Sequence, residues 1–226
     1  MKVTLLTHTP EAEKAVAAAA RLCYSATDGC DLFEGMDDEK VDKLLQKLVK
    51  SGHYSPFEHA SFTFAIDGIS RACSHQLVRH RLASYSQKSQ RYVKEKKFGY
   101  VIPGSIVRNK IGFNRFDAVM REIQACYDEL IEIGIPAEDA RYLLPNACLT
   151  NIVVTMNARE LRHFFSLRCC SRAQWEIRRM AKAMLKEARE VAPLLFEGAG
   201  PSCISQGICY EGDMCCKKGK VEIRQR

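Results

Sequence analysis

Apolar positions recur along this chain with two periods, and they divide it into strands and helices. Lys2 to Thr7 alternates β-branched with other side chains, the period-two pattern of a short strand. Pro10 to Leu22 is alanine-rich and opens on proline, which predicts a helix. From Asp37 to Lys50, Val41, Leu44, Leu45, Leu48 and Val49 recur at helical spacing, and Gly52 supplies a stop. Residues 53–59 predict a turn, and Ala60 to Ile66 a strand with Phe62, Phe64 and Ile66 on one face. Ile69 to Val78 predicts a helix, with Ile69, Cys73 and Leu77 on one side and Arg71, His75 and Arg79 along another. Residues 82–101 predict a loop followed by a strand. Arg115 to Ile133 predicts a long amphipathic helix ending at Gly134, and Pro136 a short helix stopped by Pro145. Cys148 to Met156 is a Thr/Ile/Val-rich strand, and Asn157 to Leu167 and Gln174 to Phe196 predict two helices. A few strands among long helices, without regular alternation, predict an α+β fold with a mixed or antiparallel central sheet and long flanking helices. From Gly198 the composition turns to Gly, Cys and Lys. The expected organisation is a single domain over 1–197 and a Cys/Lys-rich tail over 198–226.

Composition narrows the class. With 226 residues, 46% of them hydrophobic, the chain can bury roughly 70% of its unfolded surface. The weakly polar run Ala15 to Ala20 is far short of a membrane span, and Met1 to His8 has no apolar export core. A cytoplasmic protein is the expectation. Eleven cysteines, an odd number with Cys169-Cys170 and Cys215-Cys216 adjacent, suit reduced thiols better than a disulfide framework. In the tail, Cys203, Cys209, Cys215 and Cys216 lack a Cys-x-x-Cys knuckle, so a zinc site and reduced thiols on a mobile tail stand as alternatives.

The net charge of +7 is unevenly placed. Residues 71–97 hold Arg71, Arg79, Arg81, Lys88, Arg91, Lys94, Lys96 and Lys97 against Glu95 alone, which equals the excess of the whole chain. A second cluster, Arg159, Arg162, Arg168, Arg172, Arg178 and Arg179, faces only Glu160 and Glu176. Like charges packed together cost free energy until a counter-charge arrives, so concentrated arginine points to an anionic ligand. For the lysines at 94 to 97 a solvated basic face is the simpler reading.

The most specific stretch is Arg79-His80-Arg81, seven residues, then Ser89, followed by Arg91. Guanidinium forks bind phosphate oxygens bidentately, and hydroxyls complete the shell. The pattern resembles the signature of the flavin-dependent (alternative) thymidylate synthases. Three further stretches agree in order and spacing: Gly52 to His59, Ala140 to Pro145, and Asn157 to Arg168 continuing through Ala173 to Ile177. The likeness covers about residues 1 to 197. It implies transfer of the methylene of methylenetetrahydrofolate to dUMP and its reduction to methyl by FAD, recharged by NADPH. It also implies a homotetramer with active sites between subunits, and neither nucleic acid nor membrane as partner.

Carried over residue by residue, the resemblance places Gln76, Ser89, Gln90 and Arg91 on the dUMP phosphate and sugar, with Arg79 and Gln87 near both nucleotide and flavin. It places His80, Arg81, Ser55, Asn157, Arg159 and His163 on FAD, and His53 and His59 at the approach of folate and flavin. Arg168 is the expected catalytic residue, with Arg141 its partner at the pyrimidine: a guanidinium beside the uracil carbonyls stabilises the ionised ring, so no protein nucleophile is needed. Plainer roles stand beside these. Ser55 suits a turn cap, Asn157 an N-cap with Glu160 as reciprocal partner, and Arg168 an ion pair with Glu176 or another acid. Ser86-Gln87 replaces the Asn-Glu common in the family. A metal among His53, His59, His75 and His80 is not expected, because the spacing matches no zinc pattern. The competing function is a basic nucleic-acid-binding module, although aromatic residues among the basic ones are limited to Tyr85 and Tyr92.

Overall fold

The computed structural model describes residues 1–95, 97–216 and 221–224. Lys96 of the basic stretch, and residues 217–220 and 225–226 of the expected tail, lie outside the described residues.

Four strands hydrogen-bond in the order β1-β2-β4-β3, forming an antiparallel sheet: β1 Lys2–His8, β2 Ser61–Ser70, β3 Ala83–Gln87 and β4 Leu149–Asn157. The helices are α1 Ala12–Leu22, α2 Gly29–Glu34, α3 Asp38–Ser51, α4 Arg71–Leu77, α5 Gly104–Val107, α6 Lys110–Glu132, α7 Ala137–Ala140, α8 Ala158–Arg168, α9 Trp175–Val191 and α10 Ser202–Ser205. The α+β expectation holds.

Local chemistry explains the main boundaries. Asp37 caps α3 by accepting from the Lys40 N–H at 2.9 Å, and Gly52 ends it at φ 70°, where a side chain would be strained. Asn157 caps α8 through the Glu160 N–H at 2.9 Å. Gln174 caps α9 by accepting from the N–H groups of Glu176 and Ile177.

Several elements differ from the pattern-based reading. β2 runs on to Ser70, and α4 starts only at Arg71 because Ser70 caps it through the Cys73 N–H at 3.0 Å. In 82–101 the strand comes first and the loop follows. α6 begins at Lys110, capped by Asn109 on the Gly112 N–H, five residues before the apolar period becomes clear. α9 stops at Val191, short of Phe196. Residues 198–224 carry α10 and two short parallel strands, β5 Ile208–Cys209 and β6 Glu222–Ile223.

By their contacts the residues group into two compact units. The first holds Met1–Lys2, Ile66–Arg79 and Tyr85–Val153; the second holds Val3–Ala65, His80–Ser84 and Val154 onward. The first packs Phe98, Met120 and Cys148 with Tyr100, Phe116, Val119, Ile123 and Leu144. In the second, Phe196 meets Phe62 and Phe165 edge-on at ring distances of 5.2 and 5.9 Å. One apolar face of α9 (Ile177, Met180, Ala181, Met184, Leu185 and Ala188) is buried there.

Candidate active site

In the first unit, the segment after β3 gathers the residues expected on the nucleotide. Gln87 closes β3, and its amide nitrogen donates to the hydroxyls of Ser74 at 2.9 Å and Thr150 at 3.1 Å. Ser89 accepts from the Arg91 N–H at 3.1 Å, a turn that fixes the direction of the arginine. Arg91 Nε donates to the Glu138 carboxylate at 2.6 Å, and Arg141 Nε donates to the Glu138 carbonyl at 3.0 Å. The structure therefore brings Arg91 and Arg141 to one residue, Glu138, which pattern reading had passed over. Arg91 and Glu138 are both half exposed, so this ion pair is weak and open to exchange with another anion. Gln76 is half-buried on α4 and bonds to the Ala72 carbonyl at 3.4 Å, while Arg79 is exposed just beyond that helix. Gln90 donates to Cys148 Sγ at 3.7 Å.

Cys148 is the thiol beside this cluster, and its environment disarms it. Burial, then the Glu95 carboxylate, push it up to about 11. At neutral pH it is a thiol and not an attacking thiolate.

The second unit assembles a different arrangement. His80 is buried, with Phe164 edge-on at 4.9 Å. Its Nδ1 lies 3.0 Å from Glu160 Oε1, and its Nε2 accepts from Arg168 Nε at 3.1 Å. These partners fix the tautomer: Nδ1 carries the proton and donates to the carboxylate, and Nε2 offers its lone pair to the guanidinium. Arg168 closes α8, is partly buried, and donates from Nε to the His80 ring. Glu160 differs from its expected part, since Oε1 of the capping-box candidate turns to His80.

His163 is exposed one turn before Arg168, 6.0 Å from the His80 ring. Donor atoms of His80, Glu160 and His163 all lie within 4.8 Å of one another, a spacing a metal could use. The hydrogen bonds argue for a relay instead, because both His80 nitrogens are engaged and the adjacent guanidinium would repel a cation.

Arg159 and His163 line a cavity of about 180 Å³ with Tyr54, Ser166 and Ser205, and Arg159 is ion-paired with the exposed Glu58. Ser55, His53, His59 and Arg81 are all exposed in the same unit. The other members of the second arginine cluster are largely structural. Arg162 is buried, donating to the carbonyls of Leu195 at 2.7 Å and Glu197 at 3.0 Å while stacking on Tyr54. Arg178 donates to the backbone carbonyls of Ser171 and Ala173.

Comparison with known proteins gives the chain its family. The family described as "Thymidylate synthase complementing protein" matches residues 4–194. A protein of Geobacter sulfurreducens named flavin-dependent thymidylate synthase is 54% identical over 227 residues, covering 100% of this chain and 97% of its own. Proteins of the same name from Clostridium tetani and Pyrococcus furiosus are 49% and 43% identical, each covering 96% of this chain and 94% of their own.

Proposed function

The chain belongs to the flavin-dependent thymidylate synthase family, and from that premise we propose how its residues share the work. Its reaction is thymidylate synthesis: the methylene of methylenetetrahydrofolate passes to C5 of dUMP and is reduced to methyl, giving dTMP and tetrahydrofolate. FAD, recharged by NADPH, supplies the reducing hydride when bound.

The residues suit that cofactor. The N-terminus of α8 at Asn157, the exposed cations Arg81 and Arg159, and His163 offer N–H groups and positive charge to a pyrophosphate, with Ser55 and Arg79 as further polar contacts. His80, buried, reaches the cofactor region through His163 and serves above all to hold Arg168. Arg91, Ser89 and Gln90 take the dUMP phosphate and sugar with Gln76 and Arg79, the phosphate replacing the Glu138 carboxylate on Arg91. Gln87, its nitrogen committed to Ser74 and Thr150, offers its carbonyl oxygen to the nucleotide or flavin.

Arg168 and Arg141 act on the pyrimidine. A positive charge at the uracil carbonyls stabilises the ring's ionised form and makes C5 electron-rich, a task worth about 3 kcal/mol of barrier for a preorganised donor. The observation that carries this reading is the relay Arg168–His80–Glu160. A buried histidine, itself oriented by a carboxylate, fixes the plane of the one guanidinium assigned to activation. Cys148, held as a thiol, fits a reaction without a protein nucleophile.

The homotetramer belongs to the same reading, and Val107, Ile111 and Phe113 are exposed apolar positions that a second copy would cover. No helix among the described residues is long and apolar enough to cross a membrane, and a cytoplasmic place is proposed with it. Residues 1–197 are proposed as the catalytic part. The nucleic-acid-binding alternative gains no support from the comparisons.

An absorption spectrum of the purified protein tests the reading. Flavin bands should be present and should bleach with NADPH, faster when dUMP is added. Protein that is colourless and cannot be loaded with FAD overturns it.

A further inference from the structure

Six of the eleven cysteines surround one cavity that the thymidylate reaction does not use. It measures about 380 Å³ and is walled by Cys169, Cys170, Cys203, Cys209, Cys215 and Cys216. Four of these come from residues 198–224 and two from the turn between α8 and α9, so distant parts of the sequence converge on thiols.

The thiols sense one another. Burial raises the Cys203 thiol, and the neighbouring sulfurs of Cys170, Cys216 and Cys215 raise it further. At Cys209 the Glu211 N–H favours the thiolate, but Cys215, burial and Cys203 outweigh it and the thiol is raised. Cys169 stands apart: burial raises it to about 11, and its charged neighbours are Lys182 and Arg189 rather than other cysteines.

Backbone geometry is already set for ligation. The Arg172 N–H donates to Cys170 Sγ at 3.5 Å, and the Glu211 N–H donates to Cys209. Each donor lies two residues beyond its cysteine, where it delocalises thiolate charge as outer partners of metal ligands do. Arg172, Arg178 and Lys182 line the same cavity, against Glu211. That excess suits a tetrathiolate centre, since one divalent ion with four thiolates carries a charge of minus two, the four thiol protons leaving to solvent.

The segment also needs a staple. Between residues 198 and 224 the buried hydrophobic side chains among those described are Ala199 and Cys209, too few to fix α10, β5 and β6 by apolar packing.

We propose that Cys170, Cys203, Cys209 and Cys215 form a thiolate-ligated metal centre, a zinc ion or an iron–sulfur cluster, that fastens residues 198–224 to the turn between α8 and α9. Cys216, exposed, is the outermost thiol. Zinc alone holds four sulfurs roughly 3.8 Å apart. Cys209 and Cys215 already hydrogen-bond to each other, so closure of the sulfurs around an ion or a cluster starts from one pair in contact.

The full-length FAD-loaded protein, made with zinc and iron supplied and purified without oxygen, should be assayed for both metals and for acid-labile sulfide. About one zinc per chain, or iron matched by sulfide, supports the centre and tells its two forms apart. A metal-free protein overturns it. In Cys203→Ser/Cys209→Ser the metal content should fall at least tenfold, while Cys126→Ser, an exposed cysteine on α6, should leave it unchanged. Retention of full metal by the double variant also overturns the proposal. Should that variant not fold, X-ray absorption at the metal edge of the unaltered protein decides: a sulfur shell supports the assignment, and a shell of nitrogen and oxygen alone refutes it.

Discussion

Two arginine–carboxylate arrangements in this molecule use the same chemistry under opposite conditions. Around Glu138, Arg91 meets a partly exposed carboxylate and Arg141 donates to the same residue's backbone carbonyl. Around His80, Arg168 and Glu160 are joined through a buried ring, with Phe164 at its edge. The exposed pair contributes at most about 1 kcal/mol and exchanges easily, which suits a site that must take up and release a nucleotide phosphate. The buried relay is costly to disturb, because each member left without its partner carries a desolvation penalty, and that suits a charge held in one orientation through the reaction. Exposure thus separates Arg91, which takes the phosphate, from Arg168, which activates the ring.

The largest expected effect that sharpens this contrast is on Arg168. Arg168→Ala should lower turnover by about a thousandfold while FAD stays bound, checked by single-turnover dTMP formation and by the flavin spectrum. Loss of the yellow colour instead would move Arg168 from activation to cofactor holding.

At the exposed cluster, Arg91→Ala should raise KM for dUMP by about 10- to 100-fold, the value of a charge-assisted phosphate contact, with kcat nearly unchanged. Glu138→Gln should shift KM the other way, lowering it by up to about fivefold, because a competing carboxylate is gone. A fall in kcat for either variant breaks the division between the clusters.

Glu160→Gln should cut kcat about tenfold at unchanged KM for dUMP, since His80 then orients Arg168 less firmly. A variant that melts earlier but turns over normally would make the relay structural.

The smallest effect belongs to the thiol. Cys148→Ser should methylate dUMP at the parent rate, and between pH 7 and 9 no thiolate step should appear, because a group titrating near 11 keeps its proton across that range. A dead but folded variant would restore a cysteine nucleophile.

Much of the frame was written in local pattern. The apolar repeat of α3 and its terminal Gly52, the Asn157 cap of α8, and the alternation along β4 are decided within a few residues, and the structure follows them. The α4 boundary was lost because Ile69, Cys73 and Leu77 extend a helical spacing backward through Ser70, while the cap hydroxyl at Ser70 marks the true start. The helix α2 buries none of its six residues, so no apolar period announces it.

The site was legible as residue types and not as partnerships. His80 and Glu160 are 80 positions apart, and Arg91 and Glu138 are 47 apart, separations that only the fold can close. Glu160 still left a trace, an acid one residue from buried Leu161 on a helix whose packed face it shares.

The buried Arg162 sets a practical limit on how short a working version of this protein can be made. The family match ends at residue 194, yet this guanidinium is satisfied by carbonyls at 195 and 197. Trimming to the matched boundary would strand a desolvated cation on the helix that presents Arg168, so the minimal catalyst extends a few residues past what homology alone would retain.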